Sequence, residues 1–216
     1  MKKVNQYIDN LFAKQDPLLE EVIESIKEND MPSISVSPSS GKLLTMLVSI
    51  SGGAKNLLEI GGALGGYSGI CLARGFQKNG RITSLELEEK YATLAHKNLK
   101  KAGYGNQVNY ITGPALKSLE KLASENKKFD FFFIDADKGN YENYLDYCIK
   151  LAEPDALVIA DNVLAAGSVA DASIEPKPRT ERMKQFNQKV ASHPKLESII
   201  LPIGDGLTIS KVKSDK

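Results

Sequence analysis

Two short segments concentrate the residue types that can move protons or hold a cation. "DADK", Asp135 to Lys138, follows the apolar run "FDFFFI", and Asp161-Asn162 closes the run "ALVIADN". Two carboxylates and an amide offer only oxygen ligands, a donor set that suits a hard divalent cation such as Mg²⁺. No His or Cys lies nearby in sequence, which argues against zinc. Lys138 becomes a candidate general base beside such a site, because burial and a neighbouring cation both favour a neutral amine. Plainer readings stand beside these: the aspartates as caps of helices or turns, the lysine as a solvated first-turn residue. Asp137 reads as exposed, with a supporting or cofactor contact as its alternative.

A third segment, "LEIGGALGGYS", packs Gly61, Gly62, Gly65 and Gly66 between a strand and a helix. Glycines there permit positive φ and close approach of backbone to a ligand. The dinucleotide fingerprint needs glycine at relative positions 1, 3 and 6. Ala63 occupies position 3, so that pattern fails and acidic-x-Gly-x-x-x-Gly, starting at Glu59, remains. A tight strand-helix turn is the simpler alternative. Glu86 ends the next strand, about 20 residues on, where a carboxylate can accept from a ribose diol. The pair suggests a nucleoside without a pyrophosphate. S-adenosylmethionine fits, with its ribose at Glu86 and its zwitterionic tail at the turn.

These residues need a frame that brings strand ends together. From "NLLEI" onward, short apolar runs alternate with helical periodicity: "RITSLEL", "VNYIT", "FDFFFID" and "ALVIADN" read as strands. Tyr91, Leu94, Ala95, Leu99 and Ala102 mark one intervening helix face, and Tyr141, Tyr144, Leu145, Cys148, Ile149 and Ala152 another. The helix after the glycines runs to about Phe76 and the one after "VNYIT" to about Asn126. Near-continuous apolar strands between amphipathic helices mean a parallel sheet covered on both faces. A helix around Arg179 to Ser192 then leads to "LESIILPIGDGLTISKV", two strands about a Gly-Asp-Gly turn. The fold class expected is therefore α/β, with a mainly parallel sheet of seven strands ending in an antiparallel hairpin. Residues 1–216 read as a single domain. Two N-terminal helices, over Leu18 to Ile26 and Leu43 to Val48, cap it as residues 1–51, and residues 52–216 form the core. In such sheets ligands bind beyond the carboxyl ends of the strands, where connections change direction.

Bulk composition is that of an ordinary globular chain: 216 residues, 42% hydrophobic, 25% charged, formal net charge +1. That balance gives no global field for nucleic acid or an anionic membrane. No apolar stretch approaches the roughly 20 residues of a membrane span, and Asn10, Lys14 and Asp16 interrupt any signal-peptide pattern. Cys71 and Cys148 read as reduced core thiols of a cytoplasmic protein, a disulfide being the minority alternative. His96 and His193 read as exposed helix residues. "KPRTER", Lys177 to Arg182, reads as a solvated helix start that could instead meet an anionic acceptor such as a CoA ester.

Taken together, "LEIGGALGGYS", "SLELEEKYATLAHKNLKKAG", "FFFIDADKGNYENYLD", "LVIADNVL" and "LPIGDGLTIS" resemble the cation-dependent O-methyltransferases of the caffeoyl-CoA and catechol type, bacterial members above all. The likeness runs from about Val36 to Lys211, with a helical N-terminal extension also typical. It implies a Rossmann-like fold and S-adenosylmethionine as cofactor. It places Glu59, Gly61, Gly65 or Gly66, Tyr67 and Ser68 at the cofactor's methionine end, Glu86 at the ribose, and Pro114 and Ala115 at the adenine. Val36 and Ser37 belong to the covering segment. It implies that Asp135, which also touches the cofactor side, binds a metal with Asp161 and Asn162: Mg²⁺, or else Mn²⁺ or Ca²⁺. It makes Lys138, with Asp135, catalytic, and the assembly a homodimer acting on a small phenolic substrate.

Two departures stand out. Gly65 and Gly66 both precede Tyr67, one residue more than usual. Ala165 stands where an aromatic often follows "DNVL", so an acceptor-stacking wall is expected to be open or built by others such as Tyr141. The rival readings are a non-catalytic or regulatory protein that binds S-adenosylmethionine and, less favoured, a nicotinamide-dependent oxidoreductase.

Overall fold

The computed structural model describes residues 2–14, 16–62, 64–77 and 79–214. Three helices come first: α1 (Lys2–Phe12), α2 (Pro17–Glu28) and α3 (Pro38–Ile50). The expected N-terminal helices are α2 and α3 only. α1 goes beyond that reading, although Val4, Tyr7, Ile8, Leu11 and Phe12 do fall at helical spacing; Val4, Tyr7, Leu11 and Phe12 remain largely exposed. α2 and α3 each have proline in the first turn and a side-chain cap, Asp16 and Ser37, which meets an otherwise orphaned N–H.

The alternating body follows as β1 (Asn56–Gly61), α4 (Tyr67–Ala73), β2 (Arg81–Glu86), α5 (Glu89–Lys101), β3 (Val108–Thr112), α6 (Ala115–Ser124), β4 (Phe129–Asp135), α7 (Tyr141–Leu151) and β5 (Ala152–Asp161). α8 (Pro178–Ser192), β6 (Leu196–Leu201) and β7 (Leu207–Val212) complete the chain. Seven strands form one sheet in the order β3-β2-β1-β4-β5-β7-β6. The first five are mutually parallel, and β7 runs antiparallel to both β5 and β6. The expected sheet and hairpin are thus present. Two boundaries differ. α4 stops at Ala73 rather than near Phe76, and Ala152, expected on a helix face, instead begins β5 opposite Phe129. His193 lies just past α8 as its C-terminal cap.

β4 shows why the strands read as unbroken apolar runs. Phe131 and Phe133 face a core built from α2, α3, α4 and α5. Phe132 and Ile134 face the opposite core, built from α6, α7 and α8. Successive side chains alternate faces, and both faces are covered. Leu19, Val22 and Ile26 of α2 share the first of these cores with the sheet. No helix among the described residues is long and apolar enough to cross a membrane. Both cysteines are buried and free.

Candidate functional site

The chain direction reverses at β1. β2 and β3 build outward on one side of it, and the chain then returns to place β4 on the other. Such a switch point opens a crevice beyond the strand ends. At its floor Gly61 pairs with Asp135. Gly61 has φ +71°, and a Cβ there would stand 2.5 Å from the Asp135 carbonyl oxygen and 2.8 Å from Ala136 Cβ. Only glycine lets the two strand ends approach this closely. Above them lies a cavity of about 1060 Å³, at the upper end of the roughly 300–1,000 Å³ usual for ligand sites.

Asp135, Lys138, Asp161 and Asn162 all line this cavity. Asp135 and Asp161 each lie one residue beyond the paired Ile134 and Ala160, at matching ends of neighbouring strands. Asp161 is buried, and burial raises its pKa to about 7, with the Asp135 charge as the next cause. Its Oδ1 accepts the Asn162 N–H at 2.6 Å. Asn162 adopts φ +61°, a left-handed conformation that asparagine tolerates better than most residues. The Lys138 ammonium donates to Asp135 Oδ1 at 3.1 Å and to the Tyr141 hydroxyl at 2.6 Å. That hydroxyl donates in turn to the Asp161 carbonyl at 3.0 Å. Burial holds the Tyr141 phenol well above its ordinary pKa, so it acts as a neutral bridge. No cluster of three or more His, Cys, Asp or Glu suited to a metal occurs among the described residues. The oxygen set here is two carboxylates and an amide, and burial and the Asp135 charge both disfavour the Asp161 carboxylate, a cost that a cation would offset.

Near the other end, Glu59 does not line the cavity: its carboxylate is buried beneath the lining residue Gly62. Ser68 Oγ donates to Oε1 and Ser84 Oγ to Oε2, each at 2.6 Å. Burial raises the Glu59 pKa to about 7, while the two hydroxyls pull it back. Gly62 lines the cavity, and a Cβ there would meet Ser68 Oγ at 3.3 Å and Glu59 Oε1 at 3.6 Å. Glu86 also lines the cavity and accepts the Glu88 N–H at 3.1 Å. Val36, Ser37, Pro114 and Ala115 lie on its walls.

Gly65, Gly66 and Tyr67 do not. A Cβ on Gly65 would strike Ile26 at 2.4 Å, and one on Gly66 would strike Leu99 at 2.6 Å. Both glycines turn toward α2 and α5, so the doubled glycine serves packing against those helices. Tyr67 is buried under the Ser35–Ser37 segment, where it lines a smaller space with Ile26 and Val36. Ser68 reaches the site through Glu59. Ala63 lies outside the described residues.

Several cavity residues escaped the sequence. Tyr91 and Tyr144 supply aromatic wall, whereas Tyr141 and Ala165 are buried away from it. Asp137, exposed as expected, also lines the cavity and is held by the Tyr144 hydroxyl. Arg179 and Asp205 reach the cavity from α8 and the β6–β7 turn. The "KPRTER" segment did carry a signal for Arg179, but its register on the helix does not say which cation turns inward.

A reversed-end sheet with its crevice at this switch point is the Rossmann-like architecture of S-adenosylmethionine-dependent methyltransferases. A sequence model of the O-methyltransferase family matches residues 9–213, and the chain belongs to that family. It is 38% identical to a catechol O-methyltransferase of Niastella koreensis, over 98% of this chain and 97% of that protein. It is 35% identical to a catechol O-methyltransferase of Mycobacterium tuberculosis, over 97% of this chain and 95% of the relative. An O-methyltransferase from Bacillus cereus, solved in complex with SAH, superposes with TM-score 0.87 at 39% identity, covering 98% of this chain and 97% of that one. The protein is accordingly an O-methyltransferase, which sets the oxidoreductase reading aside.

Proposed function

We propose that the protein transfers a methyl group from S-adenosylmethionine to a phenolic hydroxyl, one of a vicinal pair on a catechol-like or caffeoyl-like ring, with a divalent cation at Asp135, Asp161 and Asn162. The observation that carries this reading is the meeting of the Lys138 amine with Asp135, beside Asp161 and Asn162, in one cavity at the switch point. The names of the catechol-methylating relatives support the acceptor class.

Glu59 would serve the donor's ammonium from beneath Gly62, its carboxylate oriented by the Ser68 and Ser84 hydroxyls. Glu86 would take the ribose diol, Pro114 and Ala115 the adenine, and Val36 and Ser37 would cover the ligand. S-adenosylmethionine supplies an electrophilic methyl on its sulfonium. A divalent cation, when bound, favours the ionised form of the acceptor hydroxyl. Lys138, entering the step as the neutral amine, takes the phenolic proton on Nζ and leaves it as the ammonium, with Tyr141 and Asp135 fixing where that nitrogen sits. Alignment of the oxygen with the methyl, at roughly 3–3.5 Å, then supplies much of the acceleration. Mg²⁺ is the ion favoured by an all-oxygen set that leaves positions open, with Mn²⁺ or Ca²⁺ as alternatives.

The same reading takes residues 1–216 as one methyltransferase domain with residues 1–51 as its cap, supported by the core that α2 shares with the sheet. A homodimer is supported by the exposed apolar side chains of α1 and of the edge strand β6, Ile199 and Ile200 among them. Two buried free thiols fit a reducing cytoplasm. The decisive assay follows labelled methyl transfer to catechol and 3,4-dihydroxycinnamate with and without EDTA. Loss in EDTA and recovery with Mg²⁺ are expected; turnover indifferent to EDTA would remove the cation from the scheme.

A further inference from the structure

Arg179 has an unusual position for a surface-helix cation. It lies in the first turn of α8, and its side chain lines the main cavity. Its Nε is buried and has no hydrogen-bond partner among the described residues. Among the described residues its only ion pair is a loose one, Nη2 to Asp205 Oδ2 at 3.7 Å. Asp205 is itself engaged elsewhere, since its Oδ1 accepts the Ala166 N–H at 2.5 Å. A buried, unpaired donor on a charged group is costly unless a partner arrives.

The chemistry of that partner follows from the geometry of a guanidinium. Nε–H and one Nη–H lie parallel along one edge of the plane, spaced to grip both oxygens of a carboxylate. Nη2 shares that edge and faces Asp205 beyond hydrogen-bond distance, so among the described residues the edge makes no hydrogen bond, and a ligand carboxylate would take it in place of Asp205. The neighbouring basic residues do not share this arrangement. Lys177 is exposed, and Arg182 Nη1 is taken up at the Gly139 carbonyl at 3.3 Å.

We propose that Arg179 recognises a carboxylate on the methyl acceptor, so that the preferred substrate is a dihydroxyphenyl acid rather than a neutral catechol. This rests on the reading that the cavity takes a phenolic acceptor at its Asp135–Asp161 end. Arg179 lines the same cavity as those acids, so one ligand can engage both. It is a specificity residue in this scheme and takes no part in proton or methyl transfer.

The test compares matched acceptors that differ only in charge: 3,4-dihydroxybenzoate and 3,4-dihydroxycinnamate against the corresponding alcohols. Binding to the protein saturated with S-adenosylhomocysteine is followed by isothermal titration, in Mg²⁺ and again in EDTA. In the wild type at least one acid should bind about tenfold or more tightly than its alcohol, in both conditions. Arg179→Gln should erase that difference, and Arg179→Lys should keep part of it, since charge survives without the fork. Equal affinities for acid and alcohol in the wild type would overturn the proposal, as would an acid preference that persists in Arg179→Gln. Failure of the cation or transfer scheme shows separately, as binding that ignores EDTA or as absent turnover, while the acid preference stands. A circular-dichroism melt of both variants guards against misfolding, and the lysine variant keeps the comparison open should glutamine unfold the α8 start.

Discussion

The Lys138 amine and the Tyr141 hydroxyl stand 2.6 Å apart, and the same hydroxyl donates at 3.0 Å to the Asp161 carbonyl. One buried phenol thereby ties the proposed base on the β4–α7 turn to the end of β5. Tyr141→Phe removes both bonds while leaving the ring, which packs edge-on against Phe186. Its unfolding free energy should fall by about 2 kcal/mol, the usual net worth of two hydrogen bonds. Steady-state assays should show kcat down by roughly tenfold, with KM for the donor little changed, as expected when a proton acceptor loses its aim. A kcat equal to wild type would mean that Asp135 alone places the amine.

Glu59 gives the metal-free, ligand-free protein a pH dependence of calculable sign. Its pKa is raised from 4.5 to about 7, chiefly by burial. A raised carboxyl favours the folded state when protonated, so its stabilising contribution is complete below pH 4.5 and is lost as pH climbs through 7. The loss is on the order of 3 kcal/mol at 1.36 kcal/mol per unit. Urea denaturation at pH 5, 6, 7 and 8 should show stability falling across that window, and Glu59→Gln should flatten the part due to this residue. Donor binding should show the reverse trend, weakening below pH 7 as the carboxylate that meets the ammonium is neutralised.

The frame of this site was legible in sequence because both faces of the sheet are covered. Phe131 to Ile134 can be an unbroken apolar run only where both faces are buried, and the acids that end such runs then stand out. Asp135, Asp161, Glu59 and Glu86 all announce themselves this way. The contribution of Arg179 was not readable, since "KPRTER" offers three cations and only the packing of α8 turns one of them inward. Nor was the purpose of the second glycine, because a Gly-Gly pair looks the same whether it faces a ligand or, as here, Ile26 and Leu99. α1, by contrast, was legible, since Val4, Tyr7, Ile8, Leu11 and Phe12 fall at helical spacing; what the sequence does not say is that most of this stripe lies exposed.

Gly61 and Gly113 separate close approach from backbone conformation. Both have positive φ, +71° and +116°, but a Cβ on Gly61 meets the Asp135 carbonyl at 2.5 Å, while one on Gly113 meets nothing within 4 Å. Gly113→Ala should cost about 1–2 kcal/mol, the backbone strain alone. Gly61→Ala should cost more, because β1 and β4 must part at the cavity floor. Chemical denaturation ranks the two, and only Gly61→Ala should also depress donor affinity strongly.

Asp161 sets stability against function. It is buried with Asp135 as a like-charged neighbour, and its pKa is raised to about 7. Above pH 7 the folded protein therefore carries a carboxylate it would hold more easily unfolded. Asp161→Asn keeps the shape and removes the charge, so in EDTA at pH 8 its melting temperature should exceed that of the wild type by several degrees. Adding Mg²⁺ should raise the wild-type melting temperature, by mass action on the folded state, and leave the variant nearly unmoved. Methyl transfer by the variant should fall by at least about a hundredfold. A variant that melts lower than wild type in EDTA would show that the charge strengthens the Asn162 N–H bond by more than its burial costs.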